Sequence, residues 1–280
     1  MQLPAILIED LVRMALKEDL GHGLDITSSS VIPPNQISRA VFRAREEGVL
    51  AGIVLALSAF THVDPDFKFE IFAQDGDILS AGDDIALIEG PAASLLAAER
   101  VALNFMTHMS GIASLTRRYV VAAQGTNAKI CDTRKTLAGL RAIQKYAVRA
   151  GGGFNHRHGL DDAILIKDNH IAMAGGIQNV LNSAHENVGH MLKIEIEVDT
   201  LEQLEEVLNH GGADVVMMDN FTQDNLQKGV ELVDGRMITE ASGGVNLHTI
   251  RPIAESGVDY ISVGALTHSA PAMDIGLDSD

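Results

Sequence analysis

The chain has a single cysteine, Cys131, in 280 residues. No intrachain disulfide can form, so the core must be built by packing alone, which suits a reducing compartment. No apolar run reaches the ~18 residues of a membrane span, and the first residues have neither the basic stretch nor the cleavage pattern of a secretory leader. A cytoplasmic protein with no membrane partner is expected. Positive charge is also scarce: 21 Lys and Arg stand against 38 Asp and Glu, a formal net charge of −17. Nucleic acids and anionic surfaces would be repelled at long range, whereas a small anion can still enter a locally positive cleft. Gly151-Gly152-Gly153 lacks the G-x-G-x-x-G order and the preceding strand of a dinucleotide site. No cysteine or second histidine pair accompanies His156-Arg157-His158 at metal-ligand spacing. Cys131 itself reads as a buried core residue.

What is present is a 46% hydrophobic chain, enough for one α/β barrel or two smaller domains. Helical spacing predicts an amphipathic helix over Ala5–Leu20, followed by a loop from Gly21 to Asn35. SRAVFRARE and FKFEIFAQ alternate at period two, with a short helix between them at Leu55–Val63 and a turn at Asp75-Gly76-Asp77. Pro91 opens a long helical stretch whose apolar stripe is interrupted near Ser110-Gly111, which predicts two helices bridging to the next domain. From Lys129 onward, strands at 129–133, 163–167, 193–198, 215–219, 237–241 and 260–264 alternate with helices such as 201–209 and 247–256, the pattern of βα units. The expected architecture is α/β: an N-terminal α+β domain over 1–110, a helical bridge over 91–125, and an incomplete α/β barrel over 111–280.

The scarce cations are concentrated: residues 131–170 hold seven Lys and Arg against four Asp. Arg134 and Lys135 follow the first barrel strand, His156 and Arg157 follow the glycines, and Lys167 ends the apolar run Ala163–Ile166. A lysine inside so apolar a strand needs a partner or a function. Guanidinium groups fork onto carboxylate or phosphate, and lysine adds a point charge. Glu197 and Asp219 end the next two strands; such oxygen ligands suit Mg2+ shared with substrate phosphate, or sugar hydroxyls. Asp199, and in part Asp219, also reads as the cap of the following helix. Ser242-Gly243-Gly244 and Val263-Gly264-Ala265, after the last two strands, offer backbone N–H groups for a phosphate. A Schiff-base lyase centred on Lys167 would explain that lysine but neither the other cations nor the glycine turns. A non-catalytic anion sensor is the remaining alternative from another class.

Taken together, AAERVALNFMTHMSGIAS, DTRKTLAGLRAIQKYAVRAGGGFNHRHGLDDAILIKDNHI, EIEVDTLEQL, VMMDNF, EASGGV and ISVGALTHS resemble quinolinate phosphoribosyltransferases, from ALKEDLGHG to the C-terminus. The resemblance implies conversion of quinolinate and phosphoribosyl pyrophosphate, with Mg2+, to nicotinate mononucleotide, pyrophosphate and CO2. It implies a homodimer with shared active sites. It also implies that Arg134, Lys135, His156, Arg157 and Lys167 surround the quinolinate carboxylates, that Thr133 is a further substrate-binding residue, and that Arg100 reaches in from the other subunit. Glu197 and Asp219 would face the ribose and Mg2+, and Ser242–Gly244 with Val263–Ala265 would hold the 5′-phosphate. Lys135, Lys167, Glu197 and Asp219 would be the catalytic set.

Overall fold

A computed structural model describes residues 3–23 and 25–279. Its first half runs α1 (Ala5–Leu20), α2 (Ile26–Val31), β1 (Ile37–Ala44), β2 (Gly48–Val49), α3 (Ile53–Val63), β3 (Lys68–Ile71), β4 (Ile78–Leu79), β5 (Asp84–Pro91) and α4 (Ala92–Ala122). Then follow β6 (Lys129–Cys131), α5 (Arg141–Ala150), β7 (Ile164–Ile166), α6 (Asp168–Ala174), α7 (Ile177–Asn187), β8 (Ile194–Val198), α8 (Leu201–His210) and β9 (Val215–Asp219). The chain ends in α9 (Gln223–Val233), β10 (Ile238–Ser242), α10 (Ile250–Glu255), β11 (Tyr260–Ser262), α11 (Ala265–His268) and β12 (Ile275–Ser279).

Two compact units result. One comprises Met1–Arg117, Ala138–Gly152 and Ser269–Asp280; the other comprises Arg118–Leu137 and Gly153–His268. The units interleave along the chain, with α5 and β12 grouped with the N-terminal residues. In the first unit, β12, β1, β5 and β3 form an antiparallel sheet in that order. The wholly buried Phe42 and Phe60 meet edge to face, 5.9 Å between centroids, as the core of this unit. The short terminal strand β12 carries too few alternating residues to be seen in isolation, and it is fixed by pairing with Ala40–Ala44 of β1.

Two expectations are corrected here. The loop from Gly21 to Asn35 contains α2, whose first turn is capped by Asp25 accepting the Ser28 N–H at 3.1 Å. The long helical stretch is one helix, α4, with no break at Ser110-Gly111. Those residues mark close approaches instead. Ser110 Oγ accepts the Ala51 N–H at 3.0 Å and donates to the Ala51 carbonyl at 3.1 Å. A Cβ on Gly111 would lie 1.9 Å from the Pro271 carbonyl oxygen. A small residue interrupts the apolar stripe there because a backbone, not a side chain, packs against it.

The second unit is a six-stranded sheet, β6-β11-β10-β9-β8-β7, with every pairing parallel. Among the described residues the edge strands β6 and β7 form no ladder with each other, which makes this an incomplete α/β barrel. Each predicted strand is found within two residues at either end. Period-two alternation sends Ile196, Val198, Val216, Met218 and Ala241, all buried, to one face of the sheet. The opposite face receives Leu165, Lys167, Glu195, Glu197, Met217, Asp219, Glu240, Ser242 and Ser262. The last predicted helix is shorter than its pattern, because Asn246 Oδ1 accepts the N–H groups of His248 and Thr249 and delays the helix to Ile250.

Candidate active site

The polar face of this sheet opens into a cavity of about 280 Å³, lined by Thr133, Arg134, Lys135, His156, Arg157, Leu165, Lys167, Glu197, Met217, Asp219, Ser242 and Ser262. These residues sit at the C-terminal ends of the parallel strands or just beyond them, where βα loops leave side chains free of the sheet. Nine of the residues selected from the sequence thus meet in one place: Thr133, Arg134, Lys135, His156, Arg157, Lys167, Glu197, Asp219 and Ser242. Arg100 is an exposed residue of α4 and does not line this cavity.

Cations and carboxylates share this lining: Arg134, Lys135, Arg157 and Lys167 with Glu197 and Asp219. Arg157 donates from Nη1 to the Ala163 carbonyl at 3.1 Å. Burial, and then the charge of Arg134, push its guanidinium below the usual arginine range. Two arginines held this close gain most from a ligand that brings negative charge between them. Lys167 Nζ lies 2.5 Å from Glu197 Oε2, the contact that accounts for a lysine at the end of an apolar strand. The carboxylates of Glu197, Asp199 and Asp219 can bring one oxygen each to within 4.8 Å of one another. Neither aspartate is a helix cap: Thr200 accepts the Gln203 N–H at 3.2 Å and Thr222 accepts the Asn225 N–H at 3.3 Å. The capping expectation for Asp199 and Asp219 is replaced by this one, because a threonine follows each and takes the role.

Residues 25–110 match the model of the quinolinate phosphoribosyl transferase N-terminal domain, and residues 112–278 match that of the C-terminal domain. The chain is 44% identical to the probable nicotinate-nucleotide pyrophosphorylase (carboxylating) of Bacillus subtilis over 271 residues, which cover 97% of this chain and 93% of that protein. It is 42% identical to the chloroplastic nicotinate-nucleotide pyrophosphorylase (carboxylating) of Arabidopsis thaliana, covering 99% of this chain and 84% of that one. The solved NadC structure from Streptococcus pyogenes superposes with a TM-score of 0.95 at 38% identity, covering 100% of this chain and 99% of that one. The chain belongs to the quinolinate phosphoribosyltransferase family.

The loops after β10 and β11 differ in what they can offer a phosphate. Val263 is buried and its N–H is given to the Cys131 carbonyl at 2.9 Å, so that group is committed within the sheet. Gly264 leaves room for the Lys135 stem, whose Cδ would lie 3.0 Å from an added Cβ. Gly243 has φ +88°, and a Cβ there would lie 2.1 Å from Asn220 Oδ1. Its glycine is required by the adjoining loop before any ligand is considered.

Beneath the cavity lies a group that the sequence reading missed. Glu195 and Glu240 are buried, at 7% and 4% exposure. His156 Nε2 is 3.0 Å from Glu195 Oε2 and 3.6 Å from Glu240 Oε1. Burial, followed by the charge of Glu195, pushes the Glu240 carboxyl up to about 7. Both glutamates were open to discovery by phase: in IEIEV and ITEAS they stand two residues before Glu197 and Ser242, and so share their face. Attention to strand ends alone passed them over.

Proposed function

We propose that this chain transfers the phosphoribosyl group of phosphoribosyl pyrophosphate to the ring nitrogen of quinolinate, releasing pyrophosphate and CO2 and yielding nicotinate mononucleotide, a step of NAD biosynthesis. The observation that carries this reading is one cavity with Arg134, Lys135, Arg157 and Lys167 on its lining together with Glu197 and Asp219. Quinolinate is a dianion and its partner more negative still, so cations must offset their repulsion before the ring nitrogen can approach the anomeric carbon. In this reading Arg134 and Arg157 fork onto the ring carboxylates. Lys135 and Lys167 add point charges, Thr133 contributes its hydroxyl, and His156 stands beside Arg157. The nitrogen lone pair forms the bond to the anomeric carbon as the bond to pyrophosphate breaks. Glu197 and Asp219 face the positive charge that develops on the ribose. The bond to the adjacent carboxylate then breaks with its electron pair left on the ring carbon, where the neighbouring quaternised nitrogen stabilises it; CO2 departs and that carbon takes a proton.

The oxygen set of Glu197, Asp199 and Asp219 fits a hard cation. Glu197 and Asp219 would hold Mg2+, which when bound neutralises pyrophosphate charge. Ser242, Gly243, Gly244, Gly264 and Ala265 would receive the 5′-phosphate through hydroxyl and backbone N–H groups. Arg100, exposed on α4, would serve the cavity of a second copy in a cytoplasmic homodimer. No helix among the described residues is long and apolar enough to cross a membrane.

The test is release of CO2 from carboxyl-labelled quinolinate. Release is expected only when phosphoribosyl pyrophosphate is also present, with pyrophosphate formed in equal amount. Release that does not need the second substrate, or none with both, would overturn the reading.

A further inference from the structure

We propose that Glu195 and Glu240 are positioning residues for the anion-binding wall: together they orient the His156 ring, and that ring fixes Arg157. The inference rests on the reading above, in which Arg157 takes a ligand carboxylate.

The tripeptide Asn155-His156-Arg157 is anchored at every residue. Asp132, wholly buried, accepts the His156 backbone N–H at 2.9 Å and the Asn155 side-chain amide at 2.5 Å. The Arg157 backbone N–H points at His156 Nδ1 from 2.9 Å. A backbone N–H can only donate, so Nδ1 is an acceptor and the ring proton sits on Nε2. Nε2 faces the two buried glutamates, which supply the acceptor that holds the ring in this tautomer. Glu195 Oε1 is buried without a hydrogen-bond partner of its own.

Arg157 needs this support because it stands near Arg134, whose charge repels it, with Glu195 pulling the other way. The His156 ring fixes the Arg157 backbone and the Ala163 carbonyl takes its guanidinium, so the side chain starts from a set position beside its like-charged neighbour before a ligand arrives. In this arrangement both ring nitrogens of His156 are engaged by the protein. The histidine acts on the ligand through Arg157 and not as a cation of its own.

The experiment has two arms on the full-length protein. Nitrogen NMR of histidine-labelled protein at pH 7.5 should show His156 as one neutral tautomer protonated at Nε2, assigned by its loss in His156→Gln. Calorimetric titration with quinolinate should show Glu195→Leu weakening binding by about tenfold, with the apparent KM for phosphoribosyl pyrophosphate changed less than about twofold. Glu195→Gln keeps an oxygen for the Nε2 proton and should lose less than Glu195→Leu. Thermal melts establish that the variants are folded, and should the leucine variant fail to fold, Glu240→Gln takes its place in the titration. A doubly protonated His156 in the wild type would overturn the proposal. So would leucine and glutamine variants that weaken both substrates alike. A wild-type protein showing the Nε2 tautomer but binding no quinolinate would sink the functional reading while leaving the positioning of Arg157 intact.

Discussion

Lys167→Ala is expected to lower kcat by about two to three powers of ten, the loss typical of a preorganised charge removed from a reacting centre. The substitution acts twice. It removes one of four cations from the cavity lining, and it strips Glu197 of the ammonium 2.5 Å away. Glu197 then faces the cavity with its charge uncompensated, which opposes the approach of two anionic substrates. The lysine lies at the end of β7 in a partly open cavity, so the fold should survive, and a thermal midpoint within a few degrees of wild type is the expected control. A kcat within tenfold of wild type would remove Lys167 from the reacting centre.

Gly111→Ala should cost roughly 4 kcal/mol or more of stability, among the largest effects expected of one methyl group. The added Cβ would stand 1.9 Å from the carbonyl oxygen of Pro271. That oxygen is backbone and cannot rotate aside, unlike a side chain at the same distance. Relief would require Pro271 to move, and with it the start of the segment that pairs as β12 with β1. Gly189→Ala, where an added Cβ meets nothing within 4 Å, is the matched control and should be nearly neutral. Denaturant midpoints for the two variants decide it. Similar midpoints would mean that α4 can shift away from the Pro271 chain at little cost.

The contrast between these two positions shows what the sequence carries. Lys167 was legible because a charge terminating Ala163–Ile166 breaks an apolar run, and runs of that kind belong to strands of a parallel sheet. The six barrel strands were legible for the same reason, and their shared C-terminal ends drew most of the cavity residues together. Gly111 was misread: a glycine beside Ser110 looks the same in sequence whether it ends a helix or admits a neighbouring chain. Only the partner, 160 residues later, tells them apart. α5 was read as part of the barrel domain because it follows β6 in the chain. Its packing with the first unit depends on contacts such as the Tyr146 hydroxyl donating to Asp75 Oδ2 at 2.8 Å, which no local pattern encodes. Glu195 and Glu240 were overlooked for a different reason: buried carboxylates inside strands resemble errors in an apolar pattern until a histidine from a distant loop is found between them.

Quinolinate titration of four single variants tests the central claim most directly, namely that the cavity receives the ring dianion on its cationic lining and leaves the carboxylates to the second substrate. A charge-assisted hydrogen bond to a ligand carboxylate contributes about 1.5–3 kcal/mol, or about one to two powers of ten in affinity. Arg134→Ala and Arg157→Ala should each raise the quinolinate Kd by that factor. Glu197→Ala and Asp219→Ala should change it less than about threefold, and should instead depress turnover and alter its dependence on Mg2+. If the two carboxylate variants, folded by circular dichroism, lose quinolinate as severely as the arginine variants, the division of the cavity into two sides is wrong.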